Sequence, residues 1–172
     1  MVGVAREIAP NRFRESHGRY FEDFVVGDVY EHRPGRTIGE ADNTWFTLLT
    51  MNGHPLHFDS AYAADSEFGR CVVNSCLTLS TVVGMSVADV SQKAIANLGW
   101  NDIRLVAPVF VGDTIYAESE VLATRESQKR PTQGVVTVRT TGQKADGTVF
   151  MTFERTVLVP KRGHGVGEGG RY

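Results

Sequence analysis

Two histidines, an asparagine and an aspartate lie within the stretch MNGHPLHFD, residues 51–59. Histidine changes its protonation near neutral pH, so it can take and return a proton within one reaction. His57 is the candidate base, His54 lies three residues before it, and Asn52 can hold a water because an amide both donates and accepts. This stretch therefore predicts acid–base chemistry, although a single histidine is more commonly a hydrogen-bonded turn residue.

Two other kinds of chemistry are disfavoured in the same region. A zinc-binding histidine pair lies four residues apart on a helix with a glutamate beside the first histidine. Here the spacing is three, and Pro55 excludes a helix between the two rings. No Gly-x-Ser-x-Gly turn surrounds Ser75, Cys76 or Ser80, so a nucleophile is not indicated either. We expect neither a metal ion nor a redox cofactor.

Composition restricts the class of protein. The 172 residues, 41% hydrophobic and 22% charged with a net charge of −2, indicate one globular domain with an ordinary core. No basic face favours nucleic acid, and no apolar run approaches the roughly 18 to 20 residues that cross a membrane. The N-terminus lacks the pattern of a secretory signal. Cys71 and Cys76 have no disulfide or metal spacing, so a reduced pair in the cytoplasm is expected.

The chain is predicted to contain one ordered domain. Residues 1–18 are polar and irregular in pattern, which predicts a flexible arm or a segment that packs on a partner subunit. Residues 19–162 form the domain, and the Gly-rich residues 163–172 are expected to be disordered.

Helices are predicted in the first half of the domain and strands in the second. Helical spacing of apolar residues predicts helices over about 40–51, from Asp59 or Ser60 onward, and over 75–90. Residues 29–38 resemble a strand, and four more strands follow Gly99, the last two joined at Asp146-Gly147. An antiparallel sheet beside one long apolar helix indicates the α+β class.

Four stretches resemble the MaoC-like hydratase/dehydratase family. They are the helix GEADNTWFTLLT, the loop NGHPLHFDSAYAADSEFGR, the helix start VVNSCLTLS and the strand pair IRLVAPVFVGDTI. The resemblance covers roughly residues 19–160. It implies a single hotdog fold, in which an antiparallel sheet wraps a long central helix. It also implies a homodimer or a dimer of dimers, because single hotdog domains bury their binding groove against a second copy.

The resemblance assigns roles within the histidine-containing loop. The family's catalytic histidine falls on His57, its catalytic aspartate on Asn52 and its loop asparagine on His54. Asn52 is neutral and cannot act as a general base, which leaves three outcomes open. His57 transfers the protons while Asn52 holds the water, His54 supplies the missing group, or the protein binds acyl-CoA without turning it over.

The resemblance also implies how the substrate is held. Backbone N–H groups of Ser75 and Cys76, at the start of the long helix, would bind the thioester oxygen. A helix start offers free N–H groups and a positive dipole end for this task. Further substrate contacts are expected from the loop, namely from Pro55, Phe68, Gly69 and Arg70.

The function implied by the resemblance is that of an (R)-specific enoyl-CoA hydratase/dehydratase, with coenzyme A only as part of the substrate. The loop is similar to that of members acting on short, branched or dicarboxylic substrates such as mesaconyl- or itaconyl-CoA. Arg70 or Arg104 would pair with an acid group there or with coenzyme A phosphates. Two alternatives stay open: a thioesterase, for which Asp65 and Glu67 are the nearest acids, and a non-catalytic acyl-CoA-binding subunit.

Overall fold

A computed structural model describes residues 4–166 of the chain. The strands are β1 (Val4–Ala9), β2 (Arg12–Ser16), β3 (Val29–Thr37), β4 (Ala96–Leu105), β5 (Thr114–Glu126), β6 (Gln133–Lys144) and β7 (Val149–Pro160). The α-helices are α1 (Glu40–Leu49), α2 (Ser60–Ala64) and α3 (Ser75–Met85). Short 3₁₀ turns cover Phe21–Asp23 and Pro55–His57, and a π-helical turn covers Val87–Ser91. Among residues 4–166, none of the helices has the length and apolar character needed to cross a membrane.

The main sheet has five antiparallel strands in the order β3-β5-β6-β7-β4. One face of this sheet packs against α3, where the buried Val82 joins a cluster with Ile115, Met151 and Phe153. Burial of such apolar side chains is the main driving force that keeps the helix on the sheet. The expected α+β hotdog architecture, with a sheet around a long helix, is thus confirmed.

The long buried helix starts at the predicted residue and ends earlier than predicted. α3 begins at Ser75, and its cap is Asn74, whose Oδ1 accepts a hydrogen bond from the Cys76 N–H at 2.9 Å. The α-helical part ends at Met85, and the π-helical turn continues it to Ser91. A hydrophobic sequence pattern does not reveal such a turn, because it is a single widened turn that follows directly on the helix.

The first helix is fixed at its start by a carboxylate. The Asp42 side chain accepts from the Gly39 N–H at 2.9 Å and from the Arg36 guanidinium at 2.7 Å. These two hydrogen bonds lower the pKa of Asp42, as a helix N-terminus favours a negative charge. α1 ends at Leu49, two residues before the predicted end near Met51.

The short helix after the histidines has the predicted cap. Pro55 opens a 3₁₀ turn, and Asp59 precedes α2. The Asp59 Oδ1 accepts from the N–H groups of Ala61 and Tyr62, each at 3.0 Å. The loop that carries the candidate chemistry is therefore a run of short, individually capped turns.

The N-terminal residues differ from their prediction. The sequence predicts an irregular arm over residues 1–18, but β1 and β2 pair as an antiparallel hairpin. Asn11 makes the turn with φ 58°, a backbone conformation that asparagine tolerates better than most residues. The Lys93 ammonium donates to the Ser16 hydroxyl at 3.1 Å and so connects the hairpin to the domain. The tail predicted over 163–172 lies outside the described residues from position 167 onward.

A polar cluster is buried beyond the end of α3. His32 donates from Nδ1 to the Asp89 carboxylate at 2.9 Å, and its Nε2 lies 2.8 Å from the Ser119 hydroxyl. Burial lowers the pKa of His32. Burial raises the pKa of Asp89, but hydrogen bonds from His32 and Arg19 outweigh this and lower it overall. The cluster joins β3 and β5 to the π-helical turn.

One charged residue lies on the apolar face of β7, as the sequence indicates. Arg155 is fully buried, and its guanidinium nitrogens have no hydrogen-bond partner within the described part of the chain. Burial lowers its pKa to about 10. An unpaired buried charge costs stability, so the apolar layers on either side of Arg155 must offset it.

Candidate active site

A cavity of about 240 Å³ opens between α1, the histidine loop and the segment before α3. Of the residues predicted from the sequence, His57, Gly69 and Arg70 line it. Asn43 and Glu40 of α1 line it as well, and neither was predicted. A small number of polar groups around a concave site is typical of a ligand pocket.

The other predicted residues lie around this cavity without lining it. Asn52, His54 and Pro55 form the turns that lead to His57, and Ser75 and Cys76 begin α3. Phe68 packs edge-on against the Phe110 ring, with the ring centroids 6.4 Å apart. The structure thus brings His57, Gly69 and Arg70 to one cavity, and the remaining predicted residues are not part of its lining.

His57 is held as a candidate base by a main-chain atom. Its Nδ1 lies 2.9 Å from the Val72 carbonyl oxygen, which can only accept, so Nδ1 carries the proton. In the neutral ring the proton-accepting nitrogen is then Nε2. No hydrogen bond to Nε2 comes from any described residue, and the side chain is half-buried. The ring is therefore oriented, with one basic nitrogen available to a water or a substrate.

Asn52 closes the turn after α1. Its Oδ1 accepts from the His54 N–H at 3.0 Å, and its own N–H donates to the Thr47 carbonyl at 3.0 Å. Met51, just before it, adopts φ 62° to make this turn. The side-chain oxygen of Asn52 therefore has a structural partner, whereas its Nδ2 group has no hydrogen-bond acceptor among residues 4–166.

His54 is bound to its own turn and lies beside the candidate base. Its Nδ1 accepts from the Leu56 N–H at 3.1 Å, so Nε2 carries the proton in the neutral ring. The ring centroids of His54 and His57 are 6.0 Å apart, and Tyr62 lies edge-on to His54 at 5.9 Å. His54 is a cap of the 3₁₀ turn that presents His57.

The start of α3 offers one N–H group, not two. The Cys76 N–H is taken by the Asn74 side chain at 2.9 Å, which corrects the expectation that it could bind a thioester oxygen. The Ser75 N–H has no hydrogen-bond acceptor among residues 4–166. Because the first N–H groups of a helix lack intrahelical partners, Ser75 retains the donor expected from the sequence.

Asn43 is the most connected polar residue at the site, and sequence reasoning missed it. It is 1% exposed, and its Nδ2 donates to the carbonyls of His57 at 2.7 Å and Val72 at 3.1 Å. Its Oδ1 accepts from the Asn74 N–H at 2.8 Å. One turn later on the same helix face, Thr47 accepts from the Asn74 side chain at 3.2 Å. Asn43 and Thr47 are the two buried residues of α1, and their spacing of four residues, which puts them on one helix face, was the available signal.

Arg70 and Arg104, the two predicted anion-binding residues, differ in their surroundings. Arg70 lies over the Phe110 ring at 3.9 Å from its centroid and has no carboxylate within ion-pair distance among the described residues. Arg104 lies on β4 outside the cavity lining and donates to Asp102 at 2.8 Å. Only Arg70 presents an unpaired guanidinium to the cavity.

No metal centre is formed by the described residues. Between residues 4 and 166, no three His, Cys, Asp or Glu side chains lie close enough together to hold a metal ion. The acids nearest in sequence to the helix start, Asp65 and Glu67, do not line the cavity, whereas Glu40 does.

Several known proteins with related sequences and folds are named hydratases or dehydratases. The chain is 34% identical over 145 residues to the mesaconyl-CoA hydratase of Cereibacter sphaeroides, covering 84% of this chain and 42% of that protein. It is 32% identical over 128 residues to the (R)-specific enoyl-CoA hydratase of Aeromonas caviae, covering 74% and 91%. A solved MaoC domain protein dehydratase from Chloroflexus aurantiacus superposes with a TM-score of 0.80 at 34% identity, covering 84% and 41%.

The matches differ in how much of each protein they cover. The chain spans about two fifths of the length of the mesaconyl-CoA hydratase and of the Chloroflexus dehydratase. Residues 8–172, nearly the whole chain, match the family described as mesaconyl-CoA hydratase. This chain belongs to the mesaconyl-CoA hydratase family of MaoC-like proteins.

Proposed function

We propose that this protein is a hydro-lyase that adds water reversibly, with (R) stereospecificity, across the 2,3-double bond of an enoyl-CoA thioester. The observation that carries the proposal is the oriented ring of His57 in the cavity wall, with Nδ1–H bound to the Val72 carbonyl. Because Nδ1 is bound, Nε2 is the ring nitrogen left to accept a proton, as general acid–base catalysis requires. Membership of the mesaconyl-CoA hydratase family supports the same reaction.

The proposed mechanism uses one histidine for both proton transfers. His57 Nε2 takes a proton from water, and the resulting hydroxide bonds to the β-carbon. The π electrons move toward the thioester, and the enolate oxygen accepts a hydrogen bond from the Ser75 N–H. His57 then returns the proton to the α-carbon on the same face, and the thioester carbonyl re-forms. Asn52 supports the loop through His54, with its Nδ2 group left to hold the water.

The proposed substrate is a short dicarboxylic enoyl-CoA such as mesaconyl- or itaconyl-CoA. The cavity of about 240 Å³ is smaller than the roughly 300–1,000 Å³ of pockets that enclose a drug-sized ligand. It fits a short acyl group, with the coenzyme A part outside. The unpaired guanidinium of Arg70 at its wall would bind a second carboxylate through charge-assisted hydrogen bonds.

We also propose that a second copy of this chain pairs with β4. This strand lies at an edge of the sheet and exposes apolar side chains, among them Leu98 at 53% and Ile103 at 46%. Such an edge is a template for another strand. At the other edge, the ladder between β3 and β5 is interrupted between His32 and Arg36, around Pro34, which disfavours pairing there.

The hydratase proposal is tested with crotonyl-, mesaconyl-, itaconyl- and octenoyl-CoA, followed as loss of enoyl-thioester absorbance. We expect turnover of a dicarboxylic member, and a loss of about 10²- to 10⁴-fold in His57→Ala, the range of a positioned acid–base group. The variant Asn52→Asp tests the role of the asparagine. Faster turnover would show that the neutral side chain limits the rate, and slower turnover would show that the reaction requires the amide.

Two outcomes of that experiment would favour the alternatives. Release of free coenzyme A that Glu40→Gln abolishes would identify a thioesterase, since Glu40 is the carboxylate at the cavity. Tight acyl-CoA binding without turnover in wild type, with activity gained in Asn52→Asp, would identify a binding subunit.

The proposed hydrogen bond from the Ser75 N–H to the enolate oxygen is tested by replacing Ser75 with proline, which has no N–H. Ser75 is the first residue of α3, where proline is tolerated, and Asn74 before it has φ −57° and ψ 127°, which proline accepts. We expect Ser75→Pro to fold and to lower kcat by about 10²- to 10³-fold. Ser75→Ala keeps the N–H and should retain most of the activity. Equal rates in both variants would exclude this donor.

Substrate choice is tested at the two arginines. We expect Arg70→Gln to weaken kcat/KM for the dicarboxylic substrate by about 10- to 100-fold, the value of a charged hydrogen bond. Crotonyl-CoA, which lacks the second acid, should be little affected. Arg104→Gln is the matched control, and an equal loss on both substrates in Arg70→Gln would assign Arg70 to coenzyme A instead.

The oligomer is tested by light scattering of the purified protein. We expect a dimer or a dimer of dimers in wild type, and weaker association in Leu98→Lys, because a lysine on an edge strand opposes pairing. Val26→Lys is the control, since Val26 is similarly exposed, at 57%, but lies away from β4. A monomeric wild type at micromolar concentration would refute the pairing.

A further inference from the structure

We infer that Asn43 is a positioning residue for the reaction, one that sets the orientation of the His57 base and the Ser75 donor together. This inference rests on the proposed hydratase function. It deepens that function by naming the group on α1 through which the loop and the helix start are held in one arrangement.

The contacts of Asn43 connect three separate parts of the chain. From α1, its Nδ2 donates to the His57 carbonyl at 2.7 Å and to the Val72 carbonyl at 3.1 Å. Its Oδ1 accepts from the Asn74 N–H at 2.8 Å. The orientation of the amide is unambiguous, because the two carbonyls can only accept and the N–H can only donate.

The Val72 carbonyl is the link to the base. It accepts from Asn43 Nδ2 and also from His57 Nδ1, at 3.1 and 2.9 Å. A carbonyl oxygen has two lone pairs, so it can accept hydrogen bonds from both donors at once. Because Asn43 fixes the direction of this carbonyl, it also fixes the ring plane and the tautomer of His57.

The Asn74 contact is the link to the helix start. With its N–H bound by Asn43, Asn74 takes the capping position and covers the Cys76 N–H with its side chain. The Ser75 N–H is left uncovered between them. Asn43 therefore determines which N–H of the first turn faces a ligand.

Asn43 acts through these neighbours and not on the substrate. Both of its Nδ2 hydrogens are used by main-chain carbonyls, and its oxygen is used by a main-chain N–H. It is 1% exposed even though it lines the cavity. No other described side chain contacts both the histidine loop and the segment before α3 in this way.

The test compares Asn43→Ala and Asn43→Ser with Thr140→Val. Thr140 is also fully buried, but it lies on β6 and does not line the cavity. Its replacement by valine removes one hydrogen bond, to the Ser119 hydroxyl. We expect both Asn43 variants to lower kcat by about 10- to 100-fold with little change in KM, since small misplacements of reacting groups cost rate. Thr140→Val should keep its kcat even if it is equally destabilised.

Two further measurements separate positioning from loss of structure. In the His57→Ala background, Asn43→Ala should cost less than it does in wild type, because the part of its effect that acts through His57 is already lost. Long-range ¹H–¹⁵N spectra should show the Nδ1–H tautomer of His57 in wild type and in Thr140→Val. A mixture of tautomers is expected in both Asn43 variants.

The outcomes distinguish this inference from the function on which it rests. If wild type turns over no substrate, the hydratase proposal fails, while the spectra still decide whether Asn43 orients His57. If wild type is active but the Asn43 variants match Thr140→Val in kcat and keep one His57 tautomer, the positioning role is refuted. Additive losses in the double variant would refute it too.

Discussion

Main-chain polar groups that leave water must find new partners, and this requirement governs the region where α1, the histidine loop and α3 meet. The carbonyl of His57 at the end of its 3₁₀ turn, the carbonyl of Val72 and the N–H of Asn74 before α3 are all accounted for by side-chain partners rather than by a helix or a sheet ladder. A single amide from α1 bonds to all three. Satisfying buried hydrogen-bonding groups is nearly obligatory in folded proteins. The geometry of the cavity therefore follows from the same contacts that allow the region to be buried.

α3 is fixed at both ends by polar contacts and between them by apolar packing. At its start, Asn74 bonds to α1, and beyond its end Asp89 bonds to His32 and Arg19. Between these ends, Val82 packs into the cluster that joins the helix to the sheet. Packing alone permits a helix to slide or rotate slightly on a sheet, whereas hydrogen bonds at both ends define one position. A donor at the helix start is useful only if that position is constant.

The sequence predicts the parts of this structure that depend on local pattern. Helical spacing, Pro55 and the Asp59 cap locate the helices, and residue chemistry locates His57. The β1–β2 hairpin was missed because apolar and polar residues do not alternate regularly along its two short strands. The role of Val72 was missed because a carbonyl oxygen has no sequence signature. Asn43 was missed because a polar residue within a helix pattern is normally assigned to the solvent side, and only the fold shows it buried.

The ring of His57, the candidate base, is held by the main-chain carbonyl of Val72. Substitutions at position 72 and substitutions in the cavity wall therefore have different consequences. Any side chain at position 72 provides the same carbonyl, so substitutions there leave the acceptor of the His57 ring in place. Neighbouring positions such as Phe58, Arg70 and Val111 face the cavity without holding the ring. Substitutions at those positions alter the shape and charge of the cavity but leave the contact between His57 and the Val72 carbonyl in place. The shape and charge of the cavity can therefore change without altering the hydrogen bond that orients His57.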